Sequence, residues 1–454
     1  MNQKSLNMLF SSITKFIRSK AYSRLWNLTK KVHAADIAAV MARLFPNERI
    51  TLFQVIYSHD VEKAADVLAE LEPDIAADLL IKAQLSPREM VEIFRHIDSD
   101  DLVSILDHLP EDVSEKVRSL MAPKRSEEVR ELLAYGEETA GHIMSTDFYV
   151  LHQDTTVSDA ITAIQLSREV ESGFYLYVVD DEGKLVGVVS LKQLILNPPS
   201  TKLKDIMNPH VISATVDMDQ EEVARMVSAY NLVAIPVVDH EGKLKGVITV
   251  DDIIDIIEEE AAENLLKMAG LEEVDRITTP PVKSIKRRLP WLYVNLITAA
   301  IVASVISLFK GTIQKYALIA AFMPITGLVG NAGIQSIAVM VRELALGELT
   351  WENARKALFK EIAVAMGNAL GLGIVVSILG YLTTGKPVIG LILFLVLVGD
   401  MFIAAVAGTL IPIIWKKIGL DPAFGPGTFL TMLTDAVGYL LLFGLATLLI
   451  GHLM

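Results

Sequence analysis

The chain has 454 residues, 52% of them hydrophobic, and its mean hydropathy of +0.42 is too high for an ordinary soluble protein, so part of it is expected to lie in a membrane. Its net charge of −14 is concentrated in residues 36–280, where 48 acidic residues outnumber 21 basic ones; this disfavours a nucleic-acid partner and favours cations. The absence of cysteine excludes disulfides, thiolate metal sites and cysteine nucleophiles.

Residues 1–35 form a basic amphipathic N-terminal segment with seven Lys and Arg residues and no acidic residue. No uninterrupted apolar stretch marks a cleavable signal peptide. Two alternatives remain open for this segment: it lies on an anionic membrane surface, or it is a solvated helix.

An acidic helical N domain is predicted over residues 36–135. Short amphipathic stretches such as "KAADVLAELEP" and "DLVSILDHLPEDV" are punctuated by Leu-Pro and Glu-Pro steps. No single helix of this length could bury its apolar stripe alone, so we expect the helices to stack as a small superhelix.

A tandem repeat follows, with "VVDDEGKLVGVVSLKQLI" at 178–195 and "VVDHEGKLKGVITVDDII" at 237–254. Each copy predicts a strand, a hairpin turn at Asp/Glu-Gly, a second strand and a helix. The pattern resembles a pair of cystathionine-β-synthase (CBS) regulatory domains, over 138–196 and 201–255.

CBS pairs that bind adenosine nucleotides carry a Gly-h-h-Ser/Thr-x-x-Asp element, in which h is an apolar residue and the Asp holds the ribose. The second copy matches at Gly246, Thr249 and Asp252, whereas the first has Gln193 in place of the Asp. The resemblance therefore leaves ATP binding to the CBS pair open.

A connecting helix is predicted over residues 251–280, and its 251–275 portion carries ten acidic residues and one basic residue. At helical spacing Asp251, Asp255, Glu259 and Glu263 form one column. Like charges at that spacing destabilise a helix by about 0.2–0.5 kcal/mol per pair. Either the column is a solvated face, or its carboxylates share divalent cations, which prefer oxygen ligands.

A transmembrane domain is predicted over residues 285–454. Five stretches have the length and apolar character of a membrane span: 290–309, 317–341, 362–382, 387–415 and 428–451. Ten Lys and Arg residues flank the spans on one side and three on the other, which predicts a cytoplasmic N-terminal portion and an extracytoplasmic C-terminus.

The stretch "MPITGLVGNAGIQS" (323–336) closely resembles the Pro…Gly-Asn-x-Gly-x-Gln-Ser signature of the MgtE family of magnesium transport proteins. "ETAGHIM" (138–144), "DPA" (421–423) and the intramembrane Asp435 followed by Gly438 extend the resemblance over nearly the whole chain. It implies a multi-domain membrane protein with an α-helical superhelical N-terminal domain, α/β tandem CBS domains, a long connecting helix and a five-helix all-α transmembrane domain.

The resemblance implies a homodimeric, Mg²⁺-selective transporter or channel of the cell (inner) membrane, which cytoplasmic Mg²⁺ closes through the connecting helix. Asp435 would be the pore carboxylate. The other predicted residues of the pore metal site are Thr431 and Gly438, which share its helix face, and Asn331 and Gln335, which belong to the signature. The resemblance implies these regulatory metal ligands: Asp66, Asp100, Glu221, Asp252, Asp255, Glu260, Glu263 and Asp421. The acidic column adds Glu259.

The resemblance implies that the chain is not an enzyme. Two other functions are possible in principle. A membrane-anchored metal or nucleotide sensor without transport remains the alternative. An intramembrane metalloprotease is disfavoured because no His-Glu-x-x-His element exists. A further intramembrane acid, Asp400, has two open explanations: it lines a vestibule, or it is a neutral acid bonded to a neighbouring span.

Overall fold

The computed structural model describes residues 3–166, 175–271, 279, 281–315 and 317–452. Part of the predicted first CBS domain (167–174) and the last part of the predicted connecting helix (272–278 and 280) lie outside the described residues. The chain divides into two compact units, Met1–Glu258 and Glu259–Met454.

Ten short helices open the first unit. Four of them have a proline in the first turn, where the fixed φ of proline suits the start of a helix and its missing N–H is not needed. Ser86 and Glu89 add a reciprocal capping box to the one that begins at Pro87. The helices are α1 (Gln3–Arg18), α2 (Tyr22–Thr29), α3 (Ala34–Met41), α4 (Pro46–Tyr57), α5 (Val61–Ala69), α6 (Pro73–Lys82), α7 (Pro87–Phe94), α8 (Ser99–Asp107), α9 (Glu111–Leu120) and α10 (Pro123–Leu132).

The basic N-terminal segment is part of this helical core. Ile13 of α1 and Leu25 of α2 are fully buried, and both helices pack against α4. Neither alternative for the segment, a membrane-surface helix or a solvated helix, included this packing. Its apolar face is covered by protein, because burying it there removes the same surface from water that a membrane would.

The two repeats fold into two three-stranded sheets of the same topology. In each sheet the first strand pairs with the second in parallel and the second with the third in antiparallel register, with a bulge at the same step, Val178/Val179 and Val237/Val238. The elements are α11 (Ala140–Ile143), β1 (Tyr149–His152), α12 (Val157–Leu166), β2 (Tyr175–Val179), β3 (Leu185–Ser190), α13 (Leu191–Leu196), a 3₁₀ turn (Leu203–Asp205), β4 (Ala214–Thr215), α14 (Gln220–Tyr230), β5 (Ala234–Val238) and β6 (Leu244–Thr249).

The hairpin tips of the two repeats meet. Gly183 and Gly242 adopt φ values of +80° and +81°, which the tight turns require, and the N–H of Leu185 donates to the Gly242 carbonyl over 3.0 Å. The second repeat shares one apolar core with the helical domain, whereas the first has its own. The two repeats are thus joined through matching turns.

Helix α15 (Val250–Met268) follows β6 directly and carries the acidic column. Its residues up to Glu258 belong to the first unit, where Ile253 and Ile256 are buried in the core shared with the helical domain. Its residues from Glu259 belong to the second unit. One continuous helix therefore contributes to both units.

The second unit contains five helical segments that are long and apolar enough to cross a membrane, as predicted: Pro281–Ser307, Ala317–Ala345, Ala354–Thr384, Pro387–Lys417 and Pro426–Leu449. Its helices are α16 (Pro281–Ser307), α17 (Lys310–Lys315), α18 (Ala317–Ala320), α19 (Pro324–Ala345), α20 (Ala354–Thr384), α21 (Pro387–Lys417) and α22 (Pro426–His452).

Helix α21 lies at the centre of this unit and packs against α19, α20 and α22. In the most apolar 18-residue stretch of α21, 56% of the residues are buried, whereas the corresponding value for α16 is 11%. Most of the apolar surface of α16 therefore faces away from the protein. Small residues allow close packing: a Cβ on Gly408 would lie 2.9 Å from the Gly333 carbonyl oxygen of α19.

Candidate functional site

Carboxylates from three separate elements come together in the first unit. We call them the acidic cluster: Glu70, Asp98, Asp100, Asp101, Asp252 and Asp255. Glu70 follows α5, the three central residues open α8, and the last two lie in the first two turns of α15. The charges of Asp98, Asp252, Asp255 and Glu70 all act on Asp101. The fold therefore concentrates like charge where α15 begins.

Burial and mutual repulsion disfavour the ionised forms of these groups. Burial, reinforced by the neighbouring carboxylates, raises the pKa of Asp101 to about 7 and that of Asp100 well above its usual range. Burial also raises the pKa of Asp252 and Asp255. Oδ1 of Asp100 is buried without a hydrogen-bond partner. A cation shared by these carboxylates would relieve their repulsion. The cluster is not a preformed cage, however, since no three described His, Asp or Glu side chains are placed to hold a metal ion.

Sequence reasoning selected Asp100, Asp252 and Asp255 and missed Asp101, Asp98 and Glu70. The signal for two of these was the acidic run "DSDD" (98–101) at a helix start. Two other predicted ligands lie elsewhere in the same unit. Asp66 acts on Glu70 electrostatically, and Glu221 lies in the first turn of α14.

The predicted nucleotide element occupies the turn from β6 into α15. Both the hydroxyl and the N–H of Thr249 donate to Oδ2 of Asp252, over 2.5 and 3.1 Å. Gly246 lies so close to Met144 that a Cβ there would be 2.5 Å from the Met144 sulfur. In the first repeat Ser190 and Gln193 make the equivalent turn. Asp252 thus caps its helix and belongs to the acidic cluster as well.

In the second unit, two further predicted metal ligands, Glu263 and Asp421, form ion pairs with the side chain of Lys267. The Lys267 ammonium lies 2.9 Å from Oε1 of Glu263, one helical turn away, and 2.7 Å from Oδ2 of Asp421. The N–H of Gly425 also donates to the Lys267 carbonyl over 3.2 Å. Burial lowers the pKa of Lys267, but the hydrogen bonds to Asp421 and Glu263 prevail and raise it above its usual range. Lys267 therefore joins the end of α15 to the segment before α22.

We expect Lys267→Gln to loosen the last turn of α15 when Mg²⁺ is absent, because Glu263 and Asp421 would then face each other without a cation. A partly buried, charge-assisted link of this kind is worth about 1–2 kcal/mol, or roughly a 5- to 30-fold change in the local opening equilibrium. Hydrogen exchange of that turn measures it, and millimolar Mg²⁺ should restore protection. Lys116→Gln, which breaks a solvent-exposed pair with Asp112, is the control. Unchanged protection in Lys267→Gln would contradict the link.

The predicted pore carboxylate, Asp435, is half-buried in the third turn of α22, and its Oδ1 is buried without a hydrogen-bond partner. One turn earlier, Thr431 donates to the Gly427 carbonyl over 2.8 Å. Gly330 of α19 faces this stretch, since a Cβ there would lie 3.7 Å from Cγ2 of Thr431. The signature glycine thus packs beside the helix that carries Asp435.

The two amide side chains of the signature lie away from Asp435. Asn331 is exposed, and Gln335 lines a cavity of about 200 Å³ together with Ser336 and Glu361. No described hydrogen bond joins either amide to Asp435. In this cavity Ser336 donates to Oε2 of the buried Glu361 over 2.7 Å. Sequence reasoning missed Glu361 because it precedes the predicted third span, whereas the structure begins α20 at Ala354.

Three family profiles match the chain. A profile described as divalent cation transporter (MgtE) matches residues 322–445, the MgtE intracellular N domain matches 32–138, and CBS domains match 140–198 and 203–259.

Curated relatives match over most of the chain. The magnesium transporter MgtE of Enterococcus faecalis is 35% identical over 89% of this chain and 86% of that protein. That of Thermus thermophilus is 31% identical over 94% and 95%, respectively. A solved structure, the cytosolic domain of the Mg²⁺ channel MgtE in complex with ATP, is 32% identical, has a TM-score of 0.50, and covers 54% of this chain and 99% of its own.

The extent of these matches agrees with the architecture of acidic helical domain, CBS pair and five apolar spans. Proteins of this kind carry an ion across a membrane and are not enzymes. The chain belongs to the MgtE family of magnesium transporters.

Proposed function

We propose that the protein is a homodimeric, Mg²⁺-selective channel of the cell (inner) membrane, with its N-terminus in the cytoplasm, and that cytoplasmic Mg²⁺ closes it. One observation carries this proposal. Helix α15 begins in the acidic cluster, and its last turn is joined through Lys267 to the segment that leads into α22, the helix of Asp435. A change of charge at the start of α15 can therefore be passed along one continuous helix and through the Lys267–Asp421 ion pair toward α22.

The gating step follows from electrostatics. Without a cation, ionised Asp100, Asp101 and Asp252 repel one another, which favours separation of α8 from the start of α15. Mg²⁺ shared among them, with part of its water shell retained, removes that repulsion and favours the closed arrangement. Shifting such an equilibrium from 1:99 to 99:1 requires about 5.5 kcal/mol of differential binding, which several weak sites can supply together.

Permeation rests on Asp435. Mg²⁺ dehydrates reluctantly and is usually held by one or two carboxylates while keeping several waters. A two-fold axis beside α22 would bring one Asp435 from each protomer to the path, which suits a hydrated ion. Thr431, one turn before Asp435, would add a hydroxyl oxygen on the same face.

Nucleotide binding at Gly246, Thr249 and Asp252 stays a prediction. It is supported by the match of this element to the CBS pattern and by the ATP complex of the related cytosolic domain. Because Asp252 also belongs to the acidic cluster, nucleotide and Mg²⁺ would act on the same carboxylate.

Bilayer recordings distinguish this function from a sensor without transport. We expect the purified protein to conduct Mg²⁺ when the cytoplasmic side is Mg²⁺-free, and to close as Mg²⁺ is raised on that side. Raising Mg²⁺ to the same level on the opposite side is the control, since the acidic cluster does not face it. A protein that binds Mg²⁺ but passes no current under any of these conditions would be a sensor.

A further inference from the structure

Asp400 is an acid of the membrane unit that the proposed function does not use. It lies near the middle of α21, it is fully buried, and neither of its carboxylate oxygens has a hydrogen-bond partner. No described basic side chain forms an ion pair with it. Of the two explanations for Asp400, the neutral acid bonded to a neighbouring span finds no hydrogen bond among the described residues. An unpartnered carboxyl group in the hydrocarbon region is costly, and such residues usually mark an ion path.

The carboxyl group of Asp400 points at α22. A Cβ added to Gly438 would lie 2.6 Å from Oδ2 of Asp400 and 2.7 Å from Cγ2 of Thr326 in α19. A methyl group at this position would therefore overlap the carboxyl group of Asp400 where it now lies. Gly438 is three residues from Asp435, so both lie on the face of α22 that Asp400 approaches. Three helices thus converge on this carboxyl group.

The two intramembrane acids lie within about one helical turn of each other, because Oδ2 of Asp400 approaches Gly438, three residues after Asp435 on α22. Oδ1 of Asp435 is also buried without a hydrogen-bond partner. Two such carboxylates in a low-dielectric region cannot both be ionised unless a cation lies between them. Asp435 is only half-buried, which gives an ion access to the pair from one side.

We propose that Asp400 and Asp435 of the same protomer together bind one divalent cation, so that each protomer holds an ion between α21 and α22 at the side of the path that the two protomers share. Hard oxygen ligands and a charge of −2 suit Mg²⁺, which accepts two carboxylates and completes its shell with water. This inference rests on the proposed function, because it takes Asp435 as a pore ligand. It adds the second ligand, and it makes the site complete within one chain.

The experiment compares full-length wild type with Asp400→Asn, Asp435→Asn and the double variant in proteoliposomes. We expect Asp400→Asn to fold normally, since Asn keeps the shape and removes the charge, but to need about 10- to 100-fold more Mg²⁺ for half-maximal flux, the usual loss when a carboxylate beside a metal is altered. Equilibrium binding should show one Mg²⁺ fewer per protomer in either single variant. The double variant should lose no more than that same ion.

A glycine pair provides a matched steric control. Gly438→Ala should displace the Asp400 carboxyl group and raise the half-saturating Mg²⁺ concentration in the same direction. Gly444→Ala, on the same helix with nothing within 4 Å of the new methyl group, should change nothing. Wild-type half-saturation and stoichiometry in Asp400→Asn would overturn the inference and make Asp400 a neutral structural acid. If Asp435→Asn lost flux and Asp400→Asn did not, the proposed function would stand and the inference would fall. Absence of flux in the wild type would refute the proposed function itself.

Discussion

Protein carrying Asp435→Ala is expected to insert and fold at least as well as wild type, yet to lose selective Mg²⁺ conduction. Removing a carboxylate from mid-helix relieves a cost of roughly 2.5–3.5 kcal/mol on insertion scales, so yield and thermal stability should not fall. The same change removes the charge that offsets the partial dehydration of Mg²⁺ in the path. We expect Mg²⁺ current in bilayers to fall by about 10- to 100-fold or more.

The variant Asp435→Asn tests the role of the charge alone, because Asn has nearly the same shape as Asp. It keeps the volume and one carbonyl oxygen, so the path should remain open while cation binding weakens, and discrimination between Mg²⁺ and monovalent cations should decline. Thermal unfolding of the same preparations controls for misfolding. Undiminished Mg²⁺-selective current through well-folded Asp435→Ala protein would show that the ion site lies elsewhere.

The second large effect is a pH dependence of the acidic cluster in the absence of divalent cations. The folded-state pKa of Asp101 is about 7 and its ordinary value is 3.8, so between these values the folded protein binds more protons than the unfolded chain. Stability contributed by the protonated form is complete below about pH 4 and is lost as pH rises through about 7. Hydrogen exchange in α8 and the first turns of α15, corrected for intrinsic rates, should therefore be faster at pH 8 than at pH 5.5.

Bound Mg²⁺ should reverse this loss at pH 8, because the ion replaces the proton as the source of positive charge. Asp101→Asn should protect α8 at pH 8 without Mg²⁺, by on the order of 2 kcal/mol after allowance for partial exposure, and should weaken the response to Mg²⁺. Asp112→Asn removes the same charge from an exposed site of the same domain and serves as control. Equal pH dependence in Asp101→Asn and wild type would rule out the cluster as the origin.

Much of this architecture could be predicted from the sequence, because its signals are periodic. Each of the five apolar stretches predicts a membrane-spanning helix from its own composition and length. The repeat with an offset of 59 residues likewise predicts two similar domains without information on what packs against them. The N-terminal segment was misjudged for the opposite reason. An amphipathic helix shows that one face needs an apolar surface, and only the tertiary fold shows that α4 supplies it.

The sites were predicted less completely, since they depend on which elements meet. Lys267 appeared as the one base among ten acids, but its contact with Asp421 joins residues far apart in the sequence. Likewise, the spacing in α22 places Thr431, Asp435 and Gly438 on one face, yet it gives no sign that Asp400 of α21 occupies the space left by Gly438. Motifs select residue types within one helix, whereas partners from other helices come from packing.

The continuity of α15 has a geometric consequence. Asp255 near its start and Lys267 near its end are separated by about 18 Å along one helix. Each successive side chain is rotated by about 100° around the helix axis. The helix therefore fixes an angle between the two side chains as well as a distance. A single inserted residue would add only about 1.5 Å but would rotate Lys267 by more than a quarter of a turn away from Asp421. Point substitutions along the intervening stretch leave that phase intact, so the stretch should accept changes of side chain far more readily than changes of length.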